Sequence, residues 1–411
     1  VPDPEQTVCI ACAGADVELF LDLGATALAN KFLSEDELSR PEPTYPLRVG
    51  FCHSCGHVQL MDSVQPSDMF DDYLYISSAS DTLVAHFDDL AKTLVERHQL
   101  GADDLVIDIG CNDASLLRSF RSLGTRTLGV DPAQNLAALV AELGIDRFTG
   151  FFGSSTADEI TSRWGQASLI TATNTFPHIP ALDDFLDGIA KTLAPGGTFV
   201  IEAHYLVDIL EQVAFDTVYH EHVSYWALGP MMRLLEAHGM HAVRAERLPL
   251  HHGQLRVSVK RAGEGAVDES VERLLADERA RGVDRFDTYL SFAGQVQRIK
   301  AELERTLTDL RSQGKRLAGY GAPAKGSTLL EYLEIGTDQI EYIADRSPLK
   351  QGRFTPGTHI PIVPTEVLLE RQPDYLLLLA WNFADEVMEQ QDEYRRRGGR
   401  FILPVPVVRV V

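Results

Sequence analysis

Hydrophobic positions in the middle of the chain alternate between two rhythms. Leu105-Val106-Ile107-Asp108-Ile109 is a short β-branched run ending on Gly110, and Cys111-Asn112-Asp113-Ala114-Ser115 then opens a helical pattern. Residues 127–131 repeat the strand signal, and helical periodicity follows over about 132–143. A strand over 168–172, a helix near 181–193, the turn Ala194-Pro195-Gly196-Gly197 and a strand over 198–203 continue the series. Strands alternating with amphipathic helices predict a parallel sheet, whose ligands sit beyond the carboxyl ends of the strands. Farther on, a polar-amphipathic stretch over about 286–313 predicts a long connecting helix. A strand, a glycine turn and a helix start over 316–328 are followed by a βα unit from 340–345 and a strand over 375–380. The last hundred residues therefore form a second α/β unit.

The length of 411 residues fits two or three domains, and 45% hydrophobic with 24% charged residues is an ordinary globular composition. No apolar run approaches the roughly 18 residues of a membrane span. Val1-Pro2-Asp3-Pro4-Glu5 has neither the basic start nor the apolar core of a signal peptide, so a cytoplasmic location is expected. The net charge of −23 opposes nucleic acid and anionic membranes. A small phosphorylated ligand stays possible, because a local pocket of backbone N–H groups overrules net charge.

Four of the five cysteines make two C-x2-C knuckles, Cys9/Cys12 and Cys52/Cys55. Two knuckles supply the four-thiolate tetrahedral shell that Zn²⁺ favours, with no position left for water, so a structural metal is expected. Unrelated free thiols and a redox C-x-x-C are the weaker readings. His53 and His57 flank the second knuckle and are expected outside the ligand set. The first 65 or so residues read as a zinc-stapled module too small for a large core of its own.

In the middle domain, the loop after Asp108 and Gly110 lacks the second and third glycines of a dinucleotide fingerprint. Asp131 closes the second strand about 20 residues after the glycine turn, placed for ribose hydroxyls. A glycine turn and a ribose carboxylate without a phosphate cradle suit S-adenosylmethionine; another nucleotide is the alternative. Beyond the fifth strand, Tyr219-His220-Glu221-His222 concentrates titratable groups. One imidazole can serve as base, with a carboxylate to orient it and a phenol to polarise a carbonyl. A metal site at His220/Glu221/His222 and a plain surface loop are the competing readings. His178, in Asn174-Thr175-Phe176-Pro177-His178-Ile179-Pro180, lies on the same sheet edge. In the last unit, backbone N–H groups at the helix start after Gly321-Ala322-Pro323-Ala324-Lys325-Gly326 favour phosphate, and Lys325 adds charge. A domain that only packs is the alternative there.

The paired knuckles, D-I-G-C-N-D, N-T-x-x-H-I-P, Y-H-E-H and G-Y-G-A-P-A-K-G together resemble the nucleotide-sugar C-methyltransferases, over essentially the whole chain. The resemblance implies a class I methyltransferase Rossmann-like domain (69–262) between an N-terminal four-cysteine zinc module (1–68) and connecting helices with a C-terminal Rossmann-like α/β domain (263–411). It implies methyl transfer from S-adenosylmethionine to carbon 3, less readily carbon 5, of a dTDP-4-keto-6-deoxy sugar through an enolate. By the same resemblance His222 is the base, with Tyr219 and Glu221 around it, His178 near the ketone and Tyr73 in the sugar pocket. Cofactor contacts are expected at Asp108, Gly110, Asn112, Asp131, Pro132, Phe152 and Asn174. Substrate contacts are expected at Tyr75, Ser78, Arg256, Tyr320, Ala322 and Lys325, and zinc ligands at Cys9, Cys12, Cys52 and Cys55. Ala114 departs from the family, which usually has glycine there. A monomer is expected. The rival functions are a nucleotide-sugar epimerase using the same base and a non-enzymatic zinc-stapled nucleotide-binding module.

Overall fold

The computed structural model describes residues 7–65, 68–69, 76–250 and 253–411, with Ala79 described by its backbone alone. Three sheets organise the chain. In the N-terminal module, β1 (Val17–Thr26), β2 (Tyr45–Cys52) and β3 (Val58–Leu60) form an antiparallel meander. β2 ends on Cys52 and β3 begins three residues after Cys55, so the second knuckle is the turn of a hairpin.

Helix α1 (Asp81–His98) leads to the central sheet. Its parallel strands are β4 (Leu105–Ile109), β5 (Arg126–Asp131), β6 (Asp146–Thr149), β7 (Ala167–Thr173) and β8 (Leu193–His204). Helices α2 (Ser115–Ser122), α3 (Ala137–Glu142), α4 (Ser154–Trp164) and α5 (Leu182–Thr192) connect them, and α6 (Leu206–Glu211) follows β8. Every residue of β4 is buried, which is why its sequence is nearly all apolar. Two expectations were displaced. The helix foreseen over 132–143 is a 3₁₀ turn at Gln134–Leu136 followed by the short α3. β8 begins at Leu193 and runs through Ala194-Pro195-Gly196-Gly197, with Gly196 at φ +74°, where the sequence suggested a turn before the strand.

The chain then returns to the first sheet. β9 (Ser224–Tyr225) pairs antiparallel with β3, so a two-residue strand from the middle of the chain becomes the fourth strand of the zinc module. After α7 (Leu228–Ala237), the hairpin of β10 (Met240–Leu248) and β11 (Gln254–Arg261) completes the central sheet on the outer side of β8, with β11 antiparallel to it. The order is β10-β11-β8-β7-β4-β5-β6. Strand order reverses between β4 and β7, which puts the ligand crevice of this sheet outside their carboxyl ends.

Helices α8 (Glu269–Arg281) and α9 (Phe286–Ser312) lead onward. α9 also covers the zinc-module sheet: Tyr289 packs on Phe20 and Phe51, with ring centroids 5.0 and 4.9 Å apart. The third sheet, order β14-β13-β12-β15-β16-β17, contains β12 (Leu317–Tyr320), β13 (Ile343–Ala344), β14 (Ile362–Val363), β15 (Tyr375–Leu378), β16 (Arg400–Leu403) and β17 (Arg409–Val410). All pair parallel except β17 with β16. Helix α10 (Ala324–Tyr332) opens directly after the glycine turn. At that turn Gly321 has φ +81°, and a Cβ there would lie 2.8 Å from Ala380 Cβ, so the two loops at this second switch point meet backbone to backbone.

Candidate active site

The glycine turn after β4 is built for close approach. Gly110 has φ +74°, and a Cβ on it would meet Thr175 Oγ1 at 2.0 Å. Asn112 and Ala114 also take positive φ, 51° and 59°. Ala114 thus keeps the left-handed backbone that glycine usually supplies, at a cost of roughly 1–2 kcal/mol. The turn is locked from both sides. Asp131 Oδ2 accepts from the Asn112 backbone N–H at 2.9 Å, and its Oδ1 accepts from Ala133 N at 2.8 Å. Arg147 also approaches Oδ1, at 3.4 Å, which leaves Oδ2 with room for a further donor. Burial raises the Asp131 carboxyl, while these N–H donors and Arg147 oppose the rise. Asp108, wholly enclosed, accepts from Thr171 Oγ1 at 2.6 Å and is lifted by burial to about 7. Ser77 N donates to Asn112 Oδ1 and Ser78 N to Asp113 Oδ2, which ties the segment before α1 to the same turn. Asn174, at φ 57°, donates its N–H to Glu202 O and accepts from Gln254 Nε2 at 2.8 Å. Pro132 and Phe152 are partly exposed, and Phe152 stacks edge-on against Phe185. The expected cofactor contacts therefore lie at the carboxyl ends of β4, β5, β6 and β7 and in the loops that follow, the rim where this fold holds its ligand.

Beside that rim stands an imidazole cluster. His222 is 3% exposed, and its ring centroid lies 4.0 Å from that of Tyr219, 4.9 Å from His204 and 5.0 Å from His178. Its Nδ1 is 2.8 Å from Thr217 O, a pure acceptor, so Nδ1 carries the proton and donates. Nε2 consequently bears the lone pair and accepts from Tyr219 Oη at 2.8 Å. Burial first, then the charges of His204 and His178, hold His222 well below the ordinary imidazole range. His178 is lowered to about 4 by burial, opposed by backbone groups of Glu221 and Asn174. His178, His204 and Tyr219 are each partly exposed, and His222 is buried among them.

The other predicted residues fall differently. Both ring nitrogens of His222 are engaged by Thr217 and Tyr219, so the orienting group is a backbone carbonyl; the Glu221 carboxylate accepts from Asn30 Nδ2 at 2.7 Å. His220 Nε2 faces the carbonyls of Tyr45 and Pro46, a link to β2. Arg256 was expected to meet phosphate; instead it sits directly across from Glu202 on β8–β11 in a buried ion pair, which His86 completes at 2.8 Å from Glu202 Oε2. A guanidinium already paired in the interior is not presented to a ligand. Tyr73 and Tyr75 lie outside the described residues, as do His251 and His252. In the C-terminal sheet, Tyr320 Oη accepts from Gln391. The Ala322 N–H, expected to face phosphate, donates to Asp345 Oδ2 at 2.6 Å, repeating the aspartate lock of the first glycine turn. Lys325 Nζ lies 4.2 Å over the Trp381 ring, and burial brings it down to about 8 with Asp216 pulling the other way.

The sequence reading missed His204, Thr217 and Asn30. His204 was findable, because it ends the fifth parallel strand on the ligand side of the sheet. Thr217 acts through its carbonyl, which leaves no trace in residue identity.

The four knuckle cysteines close on one point. Cys9 and Cys55 Sγ are 3.7 Å apart, Cys12 and Cys52 Sγ 3.7 Å, and all four lie within 4.8 Å of one another. A tetrahedron of thiolates about 2.3 Å from Zn²⁺ has edges near 3.8 Å, so the residues fit the ion. Each knuckle is shaped by a tight turn, Ala13 N to Cys9 O and Gly56 N to Cys52 O. Arg233 of α7 donates to Cys55 O at 2.6 Å. His57 is fully buried against Trp226, ring centroids 4.4 Å apart, and is not among the ligands. No helix is long and apolar enough to cross a membrane, among the described residues.

Three family models match in series: "Putative zinc binding domain" over residues 9–70, "Methyltransferase domain" over 84–245 and "C-methyltransferase C-terminal domain" over 249–406. Among solved structures, magnesium protoporphyrin IX methyltransferase (ChlM) of Synechocystis PCC 6803 is 13% identical, covering 44% of this chain and 83% of that one, with a TM-score of 0.34. The CcbJ methyltransferase of Streptomyces caelestis is 14% identical, covering 43% and 90%, also with a TM-score of 0.34. Scores this low carry no argument. A sequence relative is far nearer: C-methyltransferase NovU of Streptomyces niveus is 36% identical over 404 residues, spanning 98% of this chain and 96% of that protein. With that identity sustained from zinc knuckles to C-terminal sheet, the chain belongs to the C-methyltransferase family.

Proposed function

We propose that the protein transfers a methyl group from S-adenosylmethionine to carbon 3, rather than carbon 5, of a dTDP-linked 4-keto-6-deoxy sugar, in deoxysugar biosynthesis for a natural product. The observation that supports it most is the His222 tautomer: proton on Nδ1, lone pair on Nε2, buried among partly exposed side chains beside the cofactor rim. The sugar itself rests on the resemblance of the sequence motifs.

A carbon beside a ketone loses its proton only if the enolate is stabilised, so a base and an oxyanion partner are both needed. His222 Nε2 takes the proton through the Tyr219 hydroxyl that rests on its lone pair: Tyr219 Oη receives the proton from carbon as its own passes to Nε2, and Thr217 O holds the imidazolium that forms. His178 stabilises charge on the ketone oxygen. Asp108, Gly110, Asn112, Asp131, Pro132, Phe152 and Asn174 hold the cofactor, which when bound supplies an electrophilic sulfonium methyl. Catalysis is then mainly alignment of the nucleophilic carbon against that methyl. In this reading residues 1–68 staple, 69–262 carry the chemistry, and 263–411 engage the nucleotide. Four thiolates leave no open coordination position, so zinc is assigned a structural role.

The test is incubation with methyl-labelled S-adenosylmethionine and a dTDP-4-keto-6-deoxyhexose, followed by nuclear magnetic resonance of the product. A labelled methyl on carbon 3 is expected. Label on oxygen, or an inverted sugar without label, would contradict the proposal; the latter is the outcome of the epimerase alternative.

A further inference from the structure

The C-terminal unit reaches into the turn that holds Thr217 at two neighbouring residues, Phe215 and Asp216. Asp216 is fully buried in the 3₁₀ turn Phe215–Thr217, and its Oδ2 accepts from Trp381 Nε1 at 2.6 Å. Lys325 lies over the same indole, and its charge acts on Asp216. Phe215 packs edge-on against Tyr332 at the end of α10, ring centroids 5.5 Å apart. The next residue after Asp216 is Thr217, whose carbonyl accepts the His222 Nδ1 proton at 2.8 Å. A buried carboxylate is expensive to keep and tolerable only when compensated. Here the compensation comes first from a different sheet, through an ammonium and an indole N–H, with the residue's own backbone N–H adding to it.

We propose that Asp216 is a positioning residue for His222: gripped by Trp381 and Lys325 of the C-terminal unit, it fixes the Thr217 carbonyl and thereby the tautomer of the base. The proposal rests on the reading of His222 as base. It also reassigns Lys325, whose charge serves Asp216 rather than a substrate phosphate. If the Thr217 carbonyl swings away, Nδ1 loses its acceptor. The proton then moves to Nε2, where no lone pair remains to take one from substrate.

Three variants test this: Trp381→Phe, Asp216→Asn and Lys325→Met. Trp381→Phe keeps a ring beneath Lys325 while removing the N–H together with part of the indole; Asp216→Asn removes the charge at nearly constant shape. The readouts are kcat and KM, and the long-range ¹⁵N–¹H correlations of His222, assigned with His222→Gln. In each variant that folds we expect kcat to fall roughly tenfold to hundredfold, KM for the nucleotide sugar to stay within about twofold, and the Nδ1–H tautomer of His222 to lose population. An unchanged tautomer in a folded Trp381→Phe protein would overturn the proposal. So would a Lys325→Met variant that raises KM for the nucleotide sugar while kcat holds, because Lys325 would then be a phosphate ligand. The tautomer measurement needs no substrate. A wild type without turnover on keto sugars therefore fails the functional reading alone, and an unchanged tautomer fails this one alone.

Discussion

His222 stays neutral where an exposed imidazole would begin to take a proton, because burial and two neighbouring imidazoles disfavour its charge. The sign follows directly. A base whose protonation is pushed below its usual range keeps its lone pair as pH falls through 6.5, so the acid limb of kcat against pH should lie clearly below that value. An acid limb at or above pH 6.5 would mean that His222 is not the group being titrated. Much of this site was legible residue by residue. Y-H-E-H marked the segment that carries the buried imidazole, and D-I-G followed by Asp131 marked a glycine turn and its carboxylate. What stayed hidden were partners without a signature: the Thr217 carbonyl, the Asn30 amide on Glu221, and Glu202, which neutralises Arg256 because the β8–β11 register sets them opposite. Register between distant strands is a tertiary fact, and a single sequence does not display it.

At the scale of elements, the knuckle hairpin is joined directly to the turn that holds His222. β3 begins three residues after Cys55 and pairs with β9, and Leu60 N donates to Val223 O at 3.0 Å, one residue beyond His222. Zinc on the four thiolates would fix β3, and through β3 the backbone that leaves the His222 turn. Cys52→Ser should lose the metal and lower the thermal midpoint by about 5 °C or more. Amide exchange at Val223, Ser224 and Tyr225 should rise with it. A metal-free variant with unchanged exchange there would separate the zinc site from the turn. The strands β4, β5, β7, β12 and β15 were readable as apolar runs, and β4, β5 and β12 end beside a glycine or at an acid. β9 was not, since two residues carry no period, and β8 was read short because Pro195-Gly196-Gly197 looks like punctuation.

The whole molecule is drawn together by the loop after β1. Ala29 O accepts from Ser327 Oγ, Leu33 exchanges backbone hydrogen bonds with Phe354, and Asn30 reaches Glu221, so one loop joins the zinc module, the C-terminal unit and the His222 turn. Beside it, Glu331 Oε2 accepts from Ala27 N, and Glu42 accepts from Gly357 N and His359. Burial first, and then the Glu42 charge, raise the Glu331 carboxyl to about 8. The folded protein therefore holds a proton on Glu331 that the unfolded chain, with an ordinary carboxyl, has already released. Stability present in acid is lost as pH rises toward 8, at up to about 1.4 kcal/mol per pH unit. Glu331→Gln removes that loss. Its thermal midpoint should gain on the wild type between about pH 5 and 8 and run parallel above; a gap independent of pH would contradict this. The three-unit order could be read from composition and motif, but not this docking, which depends on backbone contacts between segments some 300 residues apart.

One measurement goes to the central claim, that His222 makes a nucleophilic carbon beside a ketone. The wild type and His222→Gln are each incubated in D₂O with a dTDP-4-keto-6-deoxyhexose and S-adenosylhomocysteine, which occupies the cofactor site without a methyl to give. Solvent deuterium on the sugar is then located by mass spectrometry and nuclear magnetic resonance. We expect the wild type to wash deuterium into carbon 3 and His222→Gln to leave that carbon protonated while still binding S-adenosylhomocysteine. Equal exchange by both proteins would show that His222 is not the base, and no exchange by the wild type would contradict the enolate itself.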